Sequence, residues 1–285
     1  MRIVALFCQM GNQMFQYAFA RARRGIALPW ASSYEYGFKL GYFRLDPLTR
    51  YVYSHPRAER TYRRICQKLI KWFMHNKVGD NEGFDLIDPD AQQGYHEGFF
   101  QGDVYFKNAL PKIRKTFEIK EEYRRMFDEK YNDFFATHKV VAVHLRRTDY
   151  TEVEFEGLGG RDVSLPLDYY RKALSLIPNI EQYEVLFVSD DIESVRRDFQ
   201  GSANYHFESN PPIVDFQIIQ HADVAIISNS TFAWWAAYLS HKPAPRVIAP
   251  RHWIGHKVGR TFPAGIMTDR FQWIDVSSNV RATGQ

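Results

Sequence analysis

The stretch YEVLFVSDDIESVRRDF, residues 183–199, passes from a continuous apolar run through a polar turn into a helical pattern. Such a run of β-forming residues is typical of a strand buried on both faces of a sheet. Asp190 is predicted to be the N-cap of the helix, because Glu193 follows three residues later in the pattern of a capping box. The stretch therefore predicts a strand, a tight loop and a helix.

The same strand–helix unit recurs around this stretch. A strand is predicted at 139–144, and the further predicted elements are a helix at 167–177, a helix at 215–222, a strand at 223–229, a helix at 230–240 and a strand at 245–250. This alternation predicts a parallel sheet with helices on both faces, which binds ligands at the carboxyl ends of its strands. A second Rossmann-like strand–loop–helix unit is predicted at the start of the chain, from the apolar run RIVALFC (2–8), the polar turn QMGNQ and the helical segment that follows. We expect an α/β fold of two domains, 1–136 and 137–285.

Polar clusters follow three of the predicted strands: HLRRTD (144–149), SDD (189–191) and SNST (228–231). The carboxyl ends of parallel strands share one edge, so the clusters should converge. An arginine presents a fork that fits phosphate, and a helix N-terminus offers N–H groups to an anion. We expect Arg146 to point to the same side as His144, with Asp149 pairing one of the arginines. The sequence thus predicts an anion site suited to a pyrophosphate.

Plain structural interpretations exist for each cluster. HLRRTD could be a salt-bridge cluster at a strand end, and the hydroxyl residues of SNST could be simple helix caps. Asp191 could pair with nucleobase N–H groups or a ribose hydroxyl, whereas a pair of carboxylates alone specifies no metal geometry. The sequence has no GxxxxGK[ST], HExxH, paired CxxC or GxSxG motif, so P-loop, zinc and serine-hydrolase chemistry have no anchor.

The net charge of +4 is concentrated in one segment, 57–77. It holds seven Lys/Arg and one acid, a local charge of +6, so the rest of the chain carries −2. Either it is a solvated helix face over a core stripe, or it makes peripheral contact with an anionic membrane surface. No recognition motif supports a nucleic-acid partner. A cytoplasmic protein is predicted by the presence of only two cysteines and by the lack of a membrane-spanning apolar run and of a signal-peptide pattern. Membrane contact of the basic segment would place it at the inner face of the membrane.

Together the motifs resemble those of the inverting α-1,2-fucosyltransferase family, which includes many bacterial enzymes. The HxRRxD, SDD and SNSTFAWWAAYL motifs carry the resemblance, along with GNQMFQYAFARA (11–22), EGFFQGDVYF (97–106) and VIAPRHWI (247–254). The chain departs from the family in having Cys8-Gln9-Met10 where Gly-Gly-Leu is usual, and Thr148 where glycine is common. A loop without those glycines approaches a ligand less closely.

The resemblance implies a GT-B-like architecture, in which two Rossmann-like domains face a cleft. The N-terminal domain would hold the acceptor and the C-terminal domain GDP-β-L-fucose. By resemblance, the catalytic residues would be Arg146, His144 and Asp149. The donor-binding residues would be Asn12, Gln13, Arg146, Asp190, Asp191, Ser228, Asn229, Ser230, Thr231 and Phe232. The activity implied is transfer of L-fucose to O2 of a terminal β-galactoside of a glycan.

The implied chemistry is a single in-line displacement, because the donor is β-linked and the product α-linked. Arg146 would stabilise the departing GDP, so we expect no metal and no cofactor. Candidate general bases are Asp149, Glu152 and Glu154. Two other readings remain open: a fucosyltransferase of α-1,6 or O-fucosyl linkage, and a GDP-sugar- or carbohydrate-binding protein without catalysis. The acceptor is expected to contact the loop 151–164 and the aromatic region 34–56.

Overall fold

The computed structural model of the 285-residue chain describes residues 2–22, 27–31, 37–73, 77–79, 83–88 and 94–276. These residues divide into two compact units, 1–121 with 263–266 and 122–262 with 267–285. Each unit contains a parallel β-sheet, which confirms the expected α/β class. No helix in the described part of the chain is both long enough and apolar enough to cross a membrane.

The first unit is built on a four-stranded parallel sheet. Its elements are β1 (Arg2–Leu6), α1 (Met10–Ala22), β2 (Ala27–Ala31), α2 (Pro47–Ser54), α3 (Pro56–Phe73), β3 (Lys77–Val78), β4 (Gly94–His96) and α4 (Leu110–Thr116). The strand order is β2-β1-β4-β3. The buried strand β1 and the buried face of α1 form the centre of this unit. Of the aromatic region 34–56, residues 34–36 lie outside the described residues, as do 74–76 of the basic segment.

Helix α1 begins earlier than the sequence predicted. We expected QMGNQ to form a turn, but the helix starts at Met10, and the N–H of Gln13 donates to the carbonyl of Gln9 at 3.1 Å. Two glutamines on this helix, Gln13 and Gln16, form hydrogen bonds with backbone groups of neighbouring segments. The side chain of Gln16 accepts from the N–H of Phe7 (2.9 Å) and donates to the carbonyl of Gly98 (3.2 Å). Gln16 thereby fastens the ends of β1 and β4 to one helix.

The second unit contains a six-stranded parallel sheet in the order β12-β11-β10-β5-β8-β9. Its elements are α5 (Glu121–Thr137), β5 (Lys139–Leu145), β6 (Glu154–Phe155), β7 (Gly160–Arg161), α6 (Leu167–Ser175), β8 (Tyr183–Ser189), α7 (Ile192–Phe199), β9 (Tyr205–Phe207), α8 (Pro212–His221), β10 (Val224–Ile226), α9 (Thr231–Tyr238), β11 (Arg246–Pro250) and β12 (Gln272–Ile274). Only β6 and β7 pair outside this sheet, as an antiparallel hairpin among the described residues.

The strands of this sheet follow the doubly wound order of the Rossmann fold. Counted from β5 as the first strand, the order reads 6-5-4-1-2-3, and the chain changes direction across the sheet between β5 and β10. Ligands of such folds bind outside the carboxyl ends of the strands at this switch point. The strand ends at this position are those of HLRRTD and SNST. The sheet therefore predicts the same binding edge as the sequence motifs.

The division between the units differs from the predicted boundary at 136/137. Helix α5 belongs to the second unit apart from its first residue, and the short segment 263–266 returns to the first unit. The backbone of this segment packs closely against Gly102. A Cβ added at Gly102 would lie only 2.5 Å from the carbonyl oxygen of Gly265. The N–H of Ala264 also donates to the carbonyl of Gly83 at 2.9 Å. A sequence pattern local to each strand could not reveal this crossing.

We expect Gln16→Leu to destabilise the first unit, because it leaves two backbone groups in a largely buried place without their partners. Each unpaired group should cost about 1–3 kcal/mol, which lowers the melting temperature by roughly 5 °C or more. Differential scanning calorimetry would measure this, with Gln67→Leu on the exposed side of α3 as the matched control. Equal melting temperatures for the two variants would contradict the role given to Gln16.

Candidate functional site

Three strand ends of the second unit meet at the switch point, as the motifs predicted. The ring Nδ1 of His144, near the end of β5, lies 2.9 Å from Oγ of Ser228, which follows β10. The N–H of Arg147, after β5, donates to Oδ1 of Asp190 at 2.9 Å, and Asp190 follows β8. Hydrogen bonds thus join the HLRRTD cluster to both of the other clusters.

The guanidinium of Arg146 is held along one edge. Its Nε and Nη2 each donate to one oxygen of Asp149 at 2.8 Å, and Nε also lies 3.4 Å from Oδ2 of Asp190. The guanidinium carbon lies 5.6 Å from the ring centre of Tyr150. Two carboxylates and an aromatic face therefore fix the orientation of this side chain.

The opposite edge of Arg146 stays available. Within the described residues, no group accepts a hydrogen bond from Nη1, and the side chain is 27% exposed. A guanidinium binds phosphate with two parallel donors, and Nη1 with the remaining hydrogen of Nη2 supplies such a pair. Arg146 can therefore bind an oxyanion without releasing Asp149.

Asp190 braces the turn that follows β5. Its carboxylate accepts from the N–H groups of Arg147 (2.9 Å) and Thr148 (3.1 Å) and from the hydroxyl of Thr148. Burial opposes ionisation of Asp190, but the hydrogen bond from Thr148 and the charge of Arg146 outweigh it and lower its pKa. The carboxylate is therefore charged at neutral pH and keeps the turn in one conformation.

Asp191, and not the predicted Asp190, caps the following helix. The side chain of Asp191 accepts from the N–H of Ser194 at 3.1 Å at the start of α7. The predicted capping box is absent, since Glu193 instead lies 3.5 Å from Nε of Arg196. Two adjacent aspartates have equal capping ability, so local sequence could not choose between them. The N–H groups of Arg147 and Thr148, after β5, engage Asp190, and Asp191 is left to cap the helix.

Arg147 points away from Arg146, as the alternation of side chains along a strand predicted. Its Nη2 donates to Oδ2 of Asp198, on α7, at 2.7 Å. This ion pair ties the turn after β5 to the helix after β8. The two adjacent arginines thus have different surroundings, because Arg147 is engaged by the scaffold and Arg146 presents an open edge.

His144 lies inside the fold and is not a cation of the site. Its ring stacks on Phe232, with ring centres 5.7 Å apart, and its Nδ1 meets the hydroxyl of Ser228. Burial, and then the charge of Arg146, lower the pKa of His144 to about 3. The imidazole is therefore neutral at physiological pH, which suits it to positioning Ser228 rather than to donating a proton.

The SNST cluster leads into the N-terminus of α9. Ser230 occupies the N-cap position without a side-chain capping bond, and Thr231 and Phe232 are the half-buried first residues of the helix. Nδ2 of Asn229 donates to the carbonyl of Val163 at 2.7 Å, while its buried Oδ1 has no hydrogen-bond partner within the described residues. The backbone N–H groups of the first turn of α9 can therefore serve an anion.

Tyr150 connects the arginine to this helix, and the sequence analysis did not single it out. Its hydroxyl donates to the carbonyl of Asn229 at 3.3 Å while its ring lies against Arg146. Desolvation raises the pKa of Tyr150 to about 12, so the phenol stays protonated. An aromatic residue directly after HxRRxD was the only signal, and its partners come from distant parts of the chain.

The other predicted residues have different surroundings. Both N–H groups of the Gln13 side chain are used, by the carbonyls of Cys8 (3.0 Å) and Gly37 (2.7 Å), and its Oε1 accepts from the N–H of Lys39 (2.9 Å). Gln13 therefore has no donor left for a ligand and fixes the loop at 37–39. Asn12 accepts from Nε2 of Gln101 at 2.7 Å, and no acceptor for its own amide donors lies among the residues that the structure describes.

Two candidate bases lie on the exposed loop after Arg146. Oε2 of Glu152 is 3.8 Å from Nη2 of Arg161, and Glu154 begins the hairpin strand β6. In the described ranges no hydrogen bond or ion pair joins either glutamate to Arg146. Asp149, the third candidate, has both oxygens engaged by Arg146. The described residues also contain no group of three or more metal-ligating His, Cys, Asp or Glu side chains.

We predict that Asp190→Asn destabilises the protein by roughly 1–3 kcal/mol, because an amide cannot accept from both backbone N–H groups. Asp191→Asn is the matched control, since asparagine caps helices as well as aspartate. Since folding lowers the pKa of Asp190, its contribution is present above the ordinary value of 3.8 and is lost as pH falls through the folded pKa. Melting temperatures against pH would show this, and a gap between wild type and Asp190→Asn that persists in acid would contradict it.

Comparisons with known proteins bear on the nature of this site. The family model for glycosyl transferase family 11 matches residues 80–255, more than half of the chain. The O-antigen biosynthesis glycosyltransferase WbnK of Escherichia coli is 28% identical over 171 residues, covering 54% of this chain and 53% of that protein. The chain therefore matches only about half the length of that relative. An α-1,2-colitosyltransferase of Escherichia coli is 29% identical over 266 residues, covering 86% of this chain and 89% of that protein.

Solved structures with similar backbones were also found. The fucosyltransferase NodZ from Bradyrhizobium matches with a TM-score of 0.48 and 13% identity, over 86% of this chain and 93% of that chain. POFUT1 in complex with GDP-fucose matches with a TM-score of 0.44 and 14% identity, over 87% of this chain and 97% of that chain.

Proposed function

Since this chain belongs to glycosyl transferase family 11, we propose that it transfers L-fucose from GDP-β-L-fucose to O2 of a terminal β-galactoside of a glycan. The observation that supports this most is the open edge of Arg146 at the switch point of a doubly wound sheet. A nucleotide diphosphate is the ligand class that such an edge accommodates. The second unit is thus the proposed donor unit, and the first unit is the proposed acceptor unit.

The diphosphate would lie between Arg146 and the N-terminus of α9. Arg146 offers Nη1 and the second hydrogen of Nη2, and the first turn of α9 offers backbone N–H groups. Tyr150 contacts both, so the two donor sets are fixed to one another. Asp191 keeps its capping bond to Ser194, and its second carboxylate oxygen is the one available to a ribose or guanine.

The reaction would proceed by one in-line displacement with inversion at the anomeric carbon. The C–O bond to GDP breaks as the acceptor oxygen attacks, and negative charge grows on the leaving diphosphate. A cation already held at that position lowers the barrier, because no reorganisation is required at the moment of reaction. Asp149 and Asp190 hold Arg146 in this way before any ligand binds. We propose on this ground that the transfer needs no divalent metal.

Proton removal from the acceptor would not use the buried residues of the site. His144 is neutral and stacked inside the fold, so it acts as a positioning residue for Ser228. Asp149 holds Arg146 with both oxygens, so it too positions the cation. Glu152 and Glu154 are exposed and uncommitted to Arg146, which leaves them as the candidate bases. The departing GDP could also accept the proton.

The glycan acceptor is supported by the named relatives. One acts in O-antigen biosynthesis by its name, and the other forms an α-1,2 linkage by its name. On this chain, the hairpin of β6 and β7 follows the HLRRTD cluster and Tyr150 in the sequence. It is fastened by Lys257, which donates to the carbonyl of Arg161 at 3.0 Å, and by the ring contact of Phe155 with Phe262 at 5.5 Å. We propose that this hairpin contacts the acceptor. Neither Cys8 nor Cys66 forms a disulfide, which is compatible with a reducing cytoplasm.

A second candidate is transfer of colitose in the same linkage. It is favoured by the α-1,2-colitosyltransferase that matches 86% of this chain. Colitose lacks the 3-hydroxyl group of L-fucose, so GDP-linked colitose would differ from GDP-fucose at one position of the sugar ring. A fucosyltransferase of another linkage, or a GDP-sugar-binding protein without catalysis, is a weaker alternative.

We predict that Arg146→Ala lowers kcat about 10²–10³-fold, as deletion of a preorganised donor does. Arg147→Ala is the matched control and should cost less than about tenfold, because its guanidinium contacts Asp198 rather than the ligand edge. GDP release from GDP-fucose, measured with a β-galactoside acceptor in the presence of EDTA, would compare them. Equal losses for the two variants, or no turnover of the wild type until a divalent metal is added, would contradict the proposal.

The donor and the linkage are tested by product analysis. We expect a trisaccharide product from GDP-fucose and lactose that an α-1,2-specific fucosidase cleaves, because the named α-1,2-colitosyltransferase supports this linkage. Competition between GDP-fucose and GDP-colitose in one reaction would decide between the two donors. A preference for GDP-colitose of about tenfold or more would identify colitose, rather than fucose, as the sugar that is transferred. GDP binding without any product would favour the binding protein.

A further inference from the structure

The outward face of α3 carries a stripe of five cations: Arg57, Arg60, Arg64, Lys68 and Lys71. They recur every three or four residues, so they lie on one side of the helix, and all five are exposed. Like charges at this spacing repel one another in an isolated helix. The stripe therefore weakens the helix that bears it unless an anionic partner covers it.

The inner face of α3 fixes the direction of this stripe. Cys66 packs with Ile3 of β1, and Tyr62, Leu69 and Ile70 pack against the same cluster. The helix is therefore anchored on the sheet of the first unit by the side opposite to the cations. The position of the helix that bears the cationic stripe is therefore fixed by this packing.

The acidic residue of the helix does not neutralise the stripe. Glu59 accepts from Nη2 of Arg63 at 2.8 Å, and Arg63 is buried beside it. None of the five outward cations forms an ion pair within the part of the chain that the structure describes. Lys130 on α5, by contrast, is paired with Glu208. The charge of the stripe is therefore concentrated and uncompensated.

Two large apolar side chains border the stripe. Ile65 is 51% exposed and Trp72 is 65% exposed, and their spacing of seven residues places them on one side of the helix, next to Lys68. The neighbouring helix α2 exposes Leu48 and Tyr51. Tryptophan beside a row of lysine and arginine is the arrangement of helices that lie in the interface of an anionic bilayer. Nucleic acid would be bound by the cations but would leave Ile65 in water.

We propose that the outward face of α3 docks on an anionic phospholipid surface, with the five cations at the headgroups and Ile65 and Trp72 in the interfacial layer. The docking is independent of sugar transfer and brings the protein to membrane-linked acceptors.

The test is co-sedimentation of the full chain with vesicles of phosphatidylcholine alone and of phosphatidylcholine mixed with phosphatidylglycerol. We expect binding to the mixed vesicles only. Arg64→Glu/Lys68→Glu should lower the partition coefficient about 30-fold or more, since each cation near an anionic surface contributes about a factor of five. The matched control is Lys107→Glu/Lys115→Glu, which changes the net charge equally at exposed residues outside α3. Equal melting temperatures would show that both variants fold.

A third variant separates the membrane from other polyanions. Trp72→Ala should weaken vesicle binding severalfold while leaving the affinity for a DNA duplex unchanged. The proposal is overturned if mixed vesicles do not bind the wild type, or if the α3 and control variants bind alike. It is also overturned if duplex DNA binds more tightly than the mixed vesicles at equal salt. GDP release measured on the same α3 variant with a soluble acceptor should be unchanged, which separates this result from the transfer activity.

Discussion

The carboxylate of Asp190 holds the functional edge of the second unit together. It follows β8, yet its hydrogen bonds go to two successive N–H groups after β5, and it also lies near Nε of Arg146. The turn between the strand and the exposed loop therefore cannot move independently of the neighbouring strand. Arg147 reinforces this connection through its ion pair with Asp198. The direction of Arg146, and with it any phosphate chemistry, depends on this brace.

The charge balance explains why the site is more than a basic patch. Two arginines, Arg146 and Arg147, face three aspartates, Asp149, Asp190 and Asp198, a formal charge of −1. A diffuse excess of positive charge would therefore not attract the proposed diphosphate. In the proposed function, the attraction comes from directed donors, which are one edge of a fixed guanidinium and the first turn of α9. Such preorganised donors can favour a transition state in which negative charge grows at one place.

Much of the second unit follows from its sequence, because apolar runs and helical patterns alternate without interruption. The convergence of three polar clusters also follows, since parallel strands place their carboxyl ends on one edge. That Asp191 rather than Asp190 caps α7 could not be predicted, because the N–H groups that engage Asp190 lie about 40 residues away in the chain. The contacts of Tyr150 and the structural use of Gln13 depend on tertiary neighbours in the same way. Local patterns identify the elements, whereas the partners of each polar group come from the assembled fold.

A crystal structure of the chain with bound GDP would show where the diphosphate lies relative to Arg146. We expect the diphosphate within hydrogen-bond distance of Nη1 of Arg146 and of the first-turn N–H groups of α9. The bonds of Arg146 to Asp149, and those of Asp190 to the turn after β5, should be retained. A diphosphate bound elsewhere, or one that displaces Asp149 from Arg146, would contradict the claim that this side chain is held in place before the ligand arrives.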